Sequence, residues 1–396
     1  MRIGDTIYLD YQATTPVDPR VFSKMAPFFA GSFGNPHSVD HCVGWRAAKA
    51  VEEAGARVAH LIGADADEIV FTSGATEANN LGLLGIGKRA VAGKRRRILV
   101  SAIEHKSLLA VGRILREQLG YCVETVPVNT WGRVDCYAFG KALGDDVLLV
   151  SIMAVNNEIG TIQDIMSISK LIRKTGAVFH CDAAQAPCAI DLKEFSQHVD
   201  LLSLSAHKMY GPQGIGALFI RRELQDRIEP LVYGGGQQRE LRSGTVPVAL
   251  CVGMGAAAAL LESDQAERGR ALVRARRDVF VRKLTSLPWP ISINGPNGGI
   301  QCHPGNANVR FNGFKAHDIL GILQPRLAAS TGSACTSGFP EPSHVLRAIG
   351  LSGDEAESSV RFSIGAGTTD ADLEEAVSLI ENALTKLAAM SPVQTA

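Results

Sequence analysis

Through residues 65–220, short β-rich runs alternate with stretches whose apolar positions recur at helical spacing. Runs at 68–72, 97–101, 122–127, 147–153, 178–182, 200–205 and 216–220 read as strands. Helical patterns lie between them at 77–92, 106–119 and 165–175. Several strands, such as Val147-Leu148-Leu149-Val150, are apolar almost throughout, which suits a sheet covered on both faces. Strands alternating with helices predict an α/β fold around a mostly parallel sheet with right-handed crossovers. Ligands of such sheets bind at the carboxyl ends of the strands.

After Leu261 the pattern changes. Residues 243–261 carry no charge, contain Pro247 and are rich in Gly and Ala, so they read as a tightly packed core helix. They lack the sustained large apolar side chains of a membrane span. A charged helical run at 262–287 and a Pro/Gly-rich stretch at 288–305 follow. A second α+β pattern runs to Leu387, and the tail 390–396 reads as frayed. A domain boundary is expected near residue 260.

Composition narrows the classes. The chain has 396 residues, enough to bury a large core without staples. Forty basic residues balance forty acidic ones. That argues against a protein built to grip nucleic acid or an anionic membrane. The one basic cluster, Lys94-Arg95-Arg96-Arg97, reads as a solvated turn leading into a strand. Eight cysteines are spread thinly without a C-x-x-C pair. A disulfide scaffold is therefore not expected, and a reducing, cytoplasmic location is. No basic-then-apolar leader opens the chain, so no secretory signal is expected.

Five segments carry candidate chemistry. In Ser205-Ala206-His207-Lys208, a lysine follows a strand's carboxyl end, where desolvation can free its amine to attack a carbonyl. The alternative is a surface lysine in a loop. In His180-Cys181-Asp182-Ala183-Ala184-Gln185, an Asp ends an otherwise apolar strand. A buried carboxylate there needs a partner, and a protonated pyridine nitrogen is one candidate. Strand neighbours point to opposite faces, so this triplet does not read as a metal site, and no metal is expected. Thr72-Ser73-Gly74-Ala75-Thr76 turns a strand into a helix. It reads either as an anion cup or as a plain N-cap with Ser73 or Thr76 as the cap. Arg242-Ser243-Gly244-Thr245 follows three glycines that permit close approach of a ligand or another subunit. In Ser333-Ala334-Cys335-Thr336-Ser337-Gly338, a cysteine lies among small residues, unlike the other seven, which read as packing residues.

Together these segments resemble the class V aminotransferase superfamily, and within it the cysteine desulfurases of the iron–sulfur-assembly type. The resemblance spans nearly the whole chain. It rests also on Leu9-Asp10-Tyr11-Gln12-Ala13-Thr14-Thr15-Pro16, Phe33-Gly34-Asn35-Pro36-His37-Ser38, Glu104-His105-Lys106, Asn156-Asn157-Glu158-Ile159-Gly160 and Val360-Arg361-Phe362-Ser363.

The resemblance implies pyridoxal 5′-phosphate (PLP) fold type I. A large domain over 16–260 would hold the seven-stranded sheet. A small α+β domain of 1–15 and 261–396 would carry the cysteine loop at about 330–344. Lys208 would bind the cofactor covalently, Asp182 would pair with its ring nitrogen and Gln185 with its phenolic oxygen. His105 would stack on the ring, and Asn157 would support ring and substrate. Ala75, Thr76, Ser205 and His207 would hold the phosphate. Thr245 would reach the partner subunit's phosphate in a homodimer. Arg361, with Asn35 beside it, would clamp the carboxylate of the substrate, L-cysteine. Cys335 would take the sulfur as a persulfide and pass it to an acceptor protein.

Two departures stand out. Ala206 replaces the glycine many relatives have before His-Lys, and Ala366-Gly367 replaces their Arg-Phe. The rival readings are a selenocysteine lyase or β-eliminating lyase on the same fold, and a non-catalytic scaffold. Cys335 argues against the lyases; intact Lys208, Asp182 and Cys335 argue against the scaffold.

Overall fold

The computed structural model describes residues 1–332 and 342–390. Seven strands form one sheet in the order Ile69–Thr72, Gly216–Ile220, Leu201–Ser205, Val178–Asp182, Val147–Ser151, Arg97–Ser101, Cys122–Val126. Only Gly216–Ile220 runs against its neighbours. The other pairings are parallel. These are the strands expected from the apolar runs, with ends shifted by a residue or two.

The continuous apolar runs have a simple cause. Successive strand residues point to opposite faces, and both faces are covered. Leu149, Val178, Leu201 and Leu218 pack on one side, against Leu81 and Ile86 of helix Ala75–Arg89 and Leu108 and Leu115 of helix Lys106–Leu119. Val150, Phe179, Leu202 and Phe219 pack on the other, against helices Cys42–Ile62, Ile165–Ile172 and Val248–Leu261. The Gly/Ala-rich segment is indeed a core helix. A Cβ at Gly255 would stand 2.7 Å from Ala54 Cα, so glycine sets how closely it crosses Cys42–Ile62.

A second core forms around the antiparallel strands Ile291–Ile293, Asn306–Phe311 and Ser359–Ser363. Helices Asp264–Thr285, Ala316–Leu323 and Asp370–Met390 contribute to it. The N-terminal segment links the two bodies. Leu9 accepts from the Ser363 N–H at 2.7 Å, and Thr15 N–H donates to His207 O at 2.9 Å. Residues 10–14 therefore pass directly beside Lys208.

Two expectations are corrected. The basic cluster does follow a turn into strand Arg97–Ser101 with Lys94 exposed, but its arginines are half-buried rather than solvated: Arg95 donates to Val147 O and Thr175 O, Arg96 lies 4.3 Å from the Tyr121 ring centroid, and Arg97 pairs with Glu124 and Asp146. These planar cations tie strand starts together, an arrangement that spacing alone does not reveal. Nor are all seven remaining cysteines packing residues. Cys181, Cys251 and Cys302 are buried and Cys188 is half-buried, whereas Cys42, Cys122 and Cys136 are exposed. Helix and strand edges face water as well as core, and a small apolar residue fits either.

Gly255→Val should push helix Val248–Leu261 off Cys42–Ile62 and destabilise the protein by about 1–3 kcal/mol. A lower midpoint in urea unfolding, at unchanged slope, is the expected result.

Candidate active site

A cavity of about 530 Å³ lies at the carboxyl ends of the sheet strands. Its lining includes Ala75, Thr76, His105, Asn157, Asp182, Gln185, Ser205, His207, Lys208 and Arg361. Loops and helix starts after five different strands supply these residues, so the sheet brings together positions far apart in sequence.

One wall is the start of helix Ala75–Arg89. Its N-cap is Gly74, which makes no side-chain cap bond, so the plain-cap reading with Ser73 or Thr76 is set aside. Ser73 instead donates its N–H to Glu77 Oε2 at 2.8 Å, and the Thr72 hydroxyl donates to Gly74 O. Gly74 has φ 149°, a conformation side chains rarely adopt. The first-turn N–H groups, with no side-chain cap over them, line the cavity beside Thr76, Ser205 and His207. That arrangement suits a phosphate.

Asp182 is the buried carboxylate at the end of strand Val178–Asp182. Oδ2 accepts from Asn79 Nδ2 at 2.8 Å and Oδ1 from Ala184 N–H at 3.0 Å. Asn79 also donates to Ser107 Oγ at 3.2 Å, and Ser107 Oγ lies 2.8 Å from His105 Nδ1. The Ser107 N–H reaches the same Nδ1 at 3.2 Å, so this nitrogen accepts and the ring proton sits on Nε2. A chain of hydrogen bonds thus connects His105 to Asp182. Asn79 and Ser107 were not singled out from the sequence. Helical spacing, with Asn79 one turn after Ala75 and Ser107 two residues after His105, was the available signal.

Lys208 lies opposite, donating through Nζ to Gln12 O and Ala13 O, each at 2.7 Å. Gln185 donates to Gln12 O at 2.9 Å. His207 sits 3.1 Å from Thr14 Oγ1. Burial, aided by the Lys208 charge, pushes its pKa down to about 4, so it is a neutral donor or acceptor. Buried His180 lies between the Ser151 and Ser203 hydroxyls, and burial lowers it to about 4 as well. Both its ring nitrogens are occupied, which explains why it belongs to the core.

Arg361 is buried, with Nη2 donating to Asp10 Oδ1 at 2.6 Å and to Ser330 Oγ at 2.9 Å. Nη1 donates to Asn157 O at 2.8 Å. Nε has no partner among the described residues. Its fork is thus already oriented by Asp10 and Asn157. Asn35 and Thr245 are exposed and do not line this cavity. Cys335 lies outside the described residues; Gly332, three positions before it, lines the cavity.

Glu104 is fully buried behind His105. Its Oε1 accepts from Ser101 Oγ at 2.6 Å and Met153 N–H at 2.7 Å, while Oε2 has no partner among the described residues. Burial, with a contribution from the Asp182 charge, raises its pKa to about 8. Glu104 is therefore a neutral acid at pH 7.

The chain belongs to the class V aminotransferase family, whose model matches residues 7–375. It is 45% identical over 389 residues to the cysteine desulfurase IscS of Rickettsia felis, across 98% of this chain and 93% of that protein. Among solved structures it resembles a NifS-like protein at TM-score 0.89 and 32% identity, covering 98% of this chain and 100% of that one. It also resembles SspA in complex with cysteine at TM-score 0.79 and 34% identity, covering 91% and 99%. The cofactor of the family is PLP, and the cavity fits it. A buried carboxylate, a lysine amine and an uncapped helix start carry the charges that ring nitrogen, aldehyde and phosphate require.

Glu104 yields a stability prediction. Between pH 4.5 and about 8 the unfolded acid is ionised while the native one keeps its proton, so stability falls as pH rises through this window. Glu104→Gln has no proton to lose. Its stability relative to wild type should therefore grow from pH 5 to 8, by a few kcal/mol, in paired urea titrations. An equal difference at both pH values would contradict the neutral-acid assignment.

Proposed function

We propose that the chain is a cysteine desulfurase, removing sulfur from L-cysteine to give L-alanine and a persulfide on Cys335. The observation that carries this reading is that one cavity gathers Lys208, Asp182, His105 and Arg361, with Gly332 at the start of the Cys335 segment in its wall. Residues 16–260 would form the cofactor domain, and 1–15 with 261–396 the small domain bearing the loop.

Bound PLP supplies an electron sink for the substrate Cα. Asp182 holds the proton on the ring nitrogen, and Gln185 donates to the phenolic oxygen. Ala75, Thr76, Ser205 and neutral His207 bind the phosphate. His105 packs on the ring, with Nδ1 tied to Ser107. Arg361, pre-oriented by Asp10 and the Asn157 carbonyl, receives the substrate carboxylate. Lys208 moves protons at the substrate carbons as general acid and base. Cys335 as thiolate attacks the substrate sulfur. The new S–S bond forms as the Cβ–S bond breaks, and a proton delivered to that carbon completes alanine.

A homodimer completes the site in this reading. Thr245 is exposed, next to the left-handed turn Gln238-Arg239-Glu240, and would reach the partner's phosphate. Phe22, Phe29, Phe33 and Trp45 are each about 60% exposed, an apolar surface suited to burial between subunits. The persulfide passes to an acceptor protein serving iron–sulfur cluster assembly, or tRNA or DNA sulfur modification. The setting is the cytoplasm, where thiols stay reduced. No helix among the described residues is long and apolar enough to cross a membrane.

Lys208→Ala should abolish the visible absorbance of covalently held cofactor. Cys335→Ala should keep that absorbance and lose sulfur release from cysteine by at least about a hundredfold. Undiminished sulfur release by Cys335→Ala would favour the lyase alternatives. Light scattering should find a dimer, and Thr245→Ala should weaken cofactor retention during dialysis.

A further inference from the structure

A second cavity, of about 270 Å³, adjoins the first. Gln12, Gln185 and Lys208 line both and so form the partition between them. Its remaining walls come from both bodies of the protein. Cys188, Met209 and Tyr210 stand on the sheet side; Ala266, Gly269, Arg270 and Val273 of helix Asp264–Thr285, with His303 and residues 364–366, stand on the other.

The lining is mainly apolar: the Tyr11 and Tyr210 rings, 6.3 Å apart, with Met209, Leu260, Leu261, Val273 and Ile364. Polar groups also line it; the one carboxylate among them, Asp18, is engaged by Arg20, and the cations and several donors remain. Arg270 is half-buried and has no hydrogen bond or ion pair among the described residues. His303 accepts the Gly305 N–H on Nδ1, so its ring proton sits on Nε2. The Tyr210 hydroxyl oxygen accepts the Ala366 N–H at 2.8 Å, leaving its own proton to donate. The other guanidinium in the wall, Arg20, is already held by Asp18.

Small residues keep the space open. A Cβ at Gly365 would stand 2.1 Å from the Tyr11 ring. Ala366 lies in the wall at the position where the resemblance led one to expect an arginine.

We propose that this second cavity is a binding site for a small organic carboxylate with an aromatic or branched apolar body. Apolar walls with a few orienting polar groups are the usual composition of a ligand site. An apolar cavity of about 150 Å³ takes up benzene. This one has room for such a ring together with a short acid-bearing arm. The unpaired Arg270 guanidinium selects the anion, and the Tyr210 and His303 donors fit its oxygens. Because the walls belong to both bodies, the bound acid bridges them across the partition that holds Lys208.

The test is calorimetric titration of phenylacetate into the full-length, PLP-loaded protein. Saturable binding is expected. Arg270→Gln and Ala366→Phe, the first removing the cation and the second filling the space, should each weaken it at least about tenfold, a loss of about 1.4 kcal/mol. Neither residue belongs to the proposed catalytic set and Ala366 is exposed, so both variants should turn over cysteine within about twofold of wild type when no phenylacetate is present. Absence of saturable binding to wild type, or binding unchanged in both variants, overturns the proposal. Those outcomes leave the desulfurase reading untouched, since that reading stands on cysteine turnover and Cys335→Ala.

Discussion

A largely buried carboxylate at the end of a sheet strand, on the floor of the cavity, constrains much of this molecule. Asp182 sits where the parallel strands terminate, and a charge in that place is costly without compensation. Asn79 and the Ala184 N–H satisfy part of it. In the proposed reading a protonated pyridine nitrogen would supply the opposite charge. The surroundings obey the same constraint. Glu104 is neutral, His180 is neutral between two serines, and the hydrogen-bond chain through Asn79 and Ser107 fixes the tautomer of His105.

The two bodies meet along a narrow strip of backbone. Residues 10–15 leave the small core at Ser363, pass the amine of Lys208 and bond to His207 on the sheet side. Arg361 on the small-core strand is oriented by Asp10 from the same strip. The strip therefore sets the spacing between Lys208 and Arg361, groups separated by well over a hundred residues in sequence. Gln12 extends this role, since it lines both cavities and its carbonyl receives Lys208 and Gln185.

Much of the fold was legible because six of the seven sheet strands are buried almost throughout, which leaves short, unbroken apolar runs that little else in a chain this size produces; edge strand Cys122–Val126 is the exception. Lys208 and Asp182 stood out because charged residues beside such runs are hard to explain by packing, whereas His105 was singled out only by the family resemblance. Other features were not. The arginines at 95–97 look like a solvated cluster until Val147, Thr175, Glu124 and Asp146 arrive beside them. Ser73 and Thr76 look like helix caps, yet the N-cap is Gly74, with no side-chain cap bond, and both residues line the cavity. Exposed Cys42, Cys122 and Cys136 have the same local signature as buried Cys181.

By itself, then, the sequence determined the strands, their mostly parallel arrangement and the residue types of the cofactor site, because alternation and residue chemistry are local properties. Tertiary structure alone decided which groups share a charge, which nitrogen of His105 bears the proton, and which cysteines meet water. It also decided that Ala366 and Gly269, small residues nearly a hundred positions apart, face one space beside an arginine with no ion pair among the described residues. These outcomes depend on distances between segments remote in sequence, and only the packing of one core against another sets those distances.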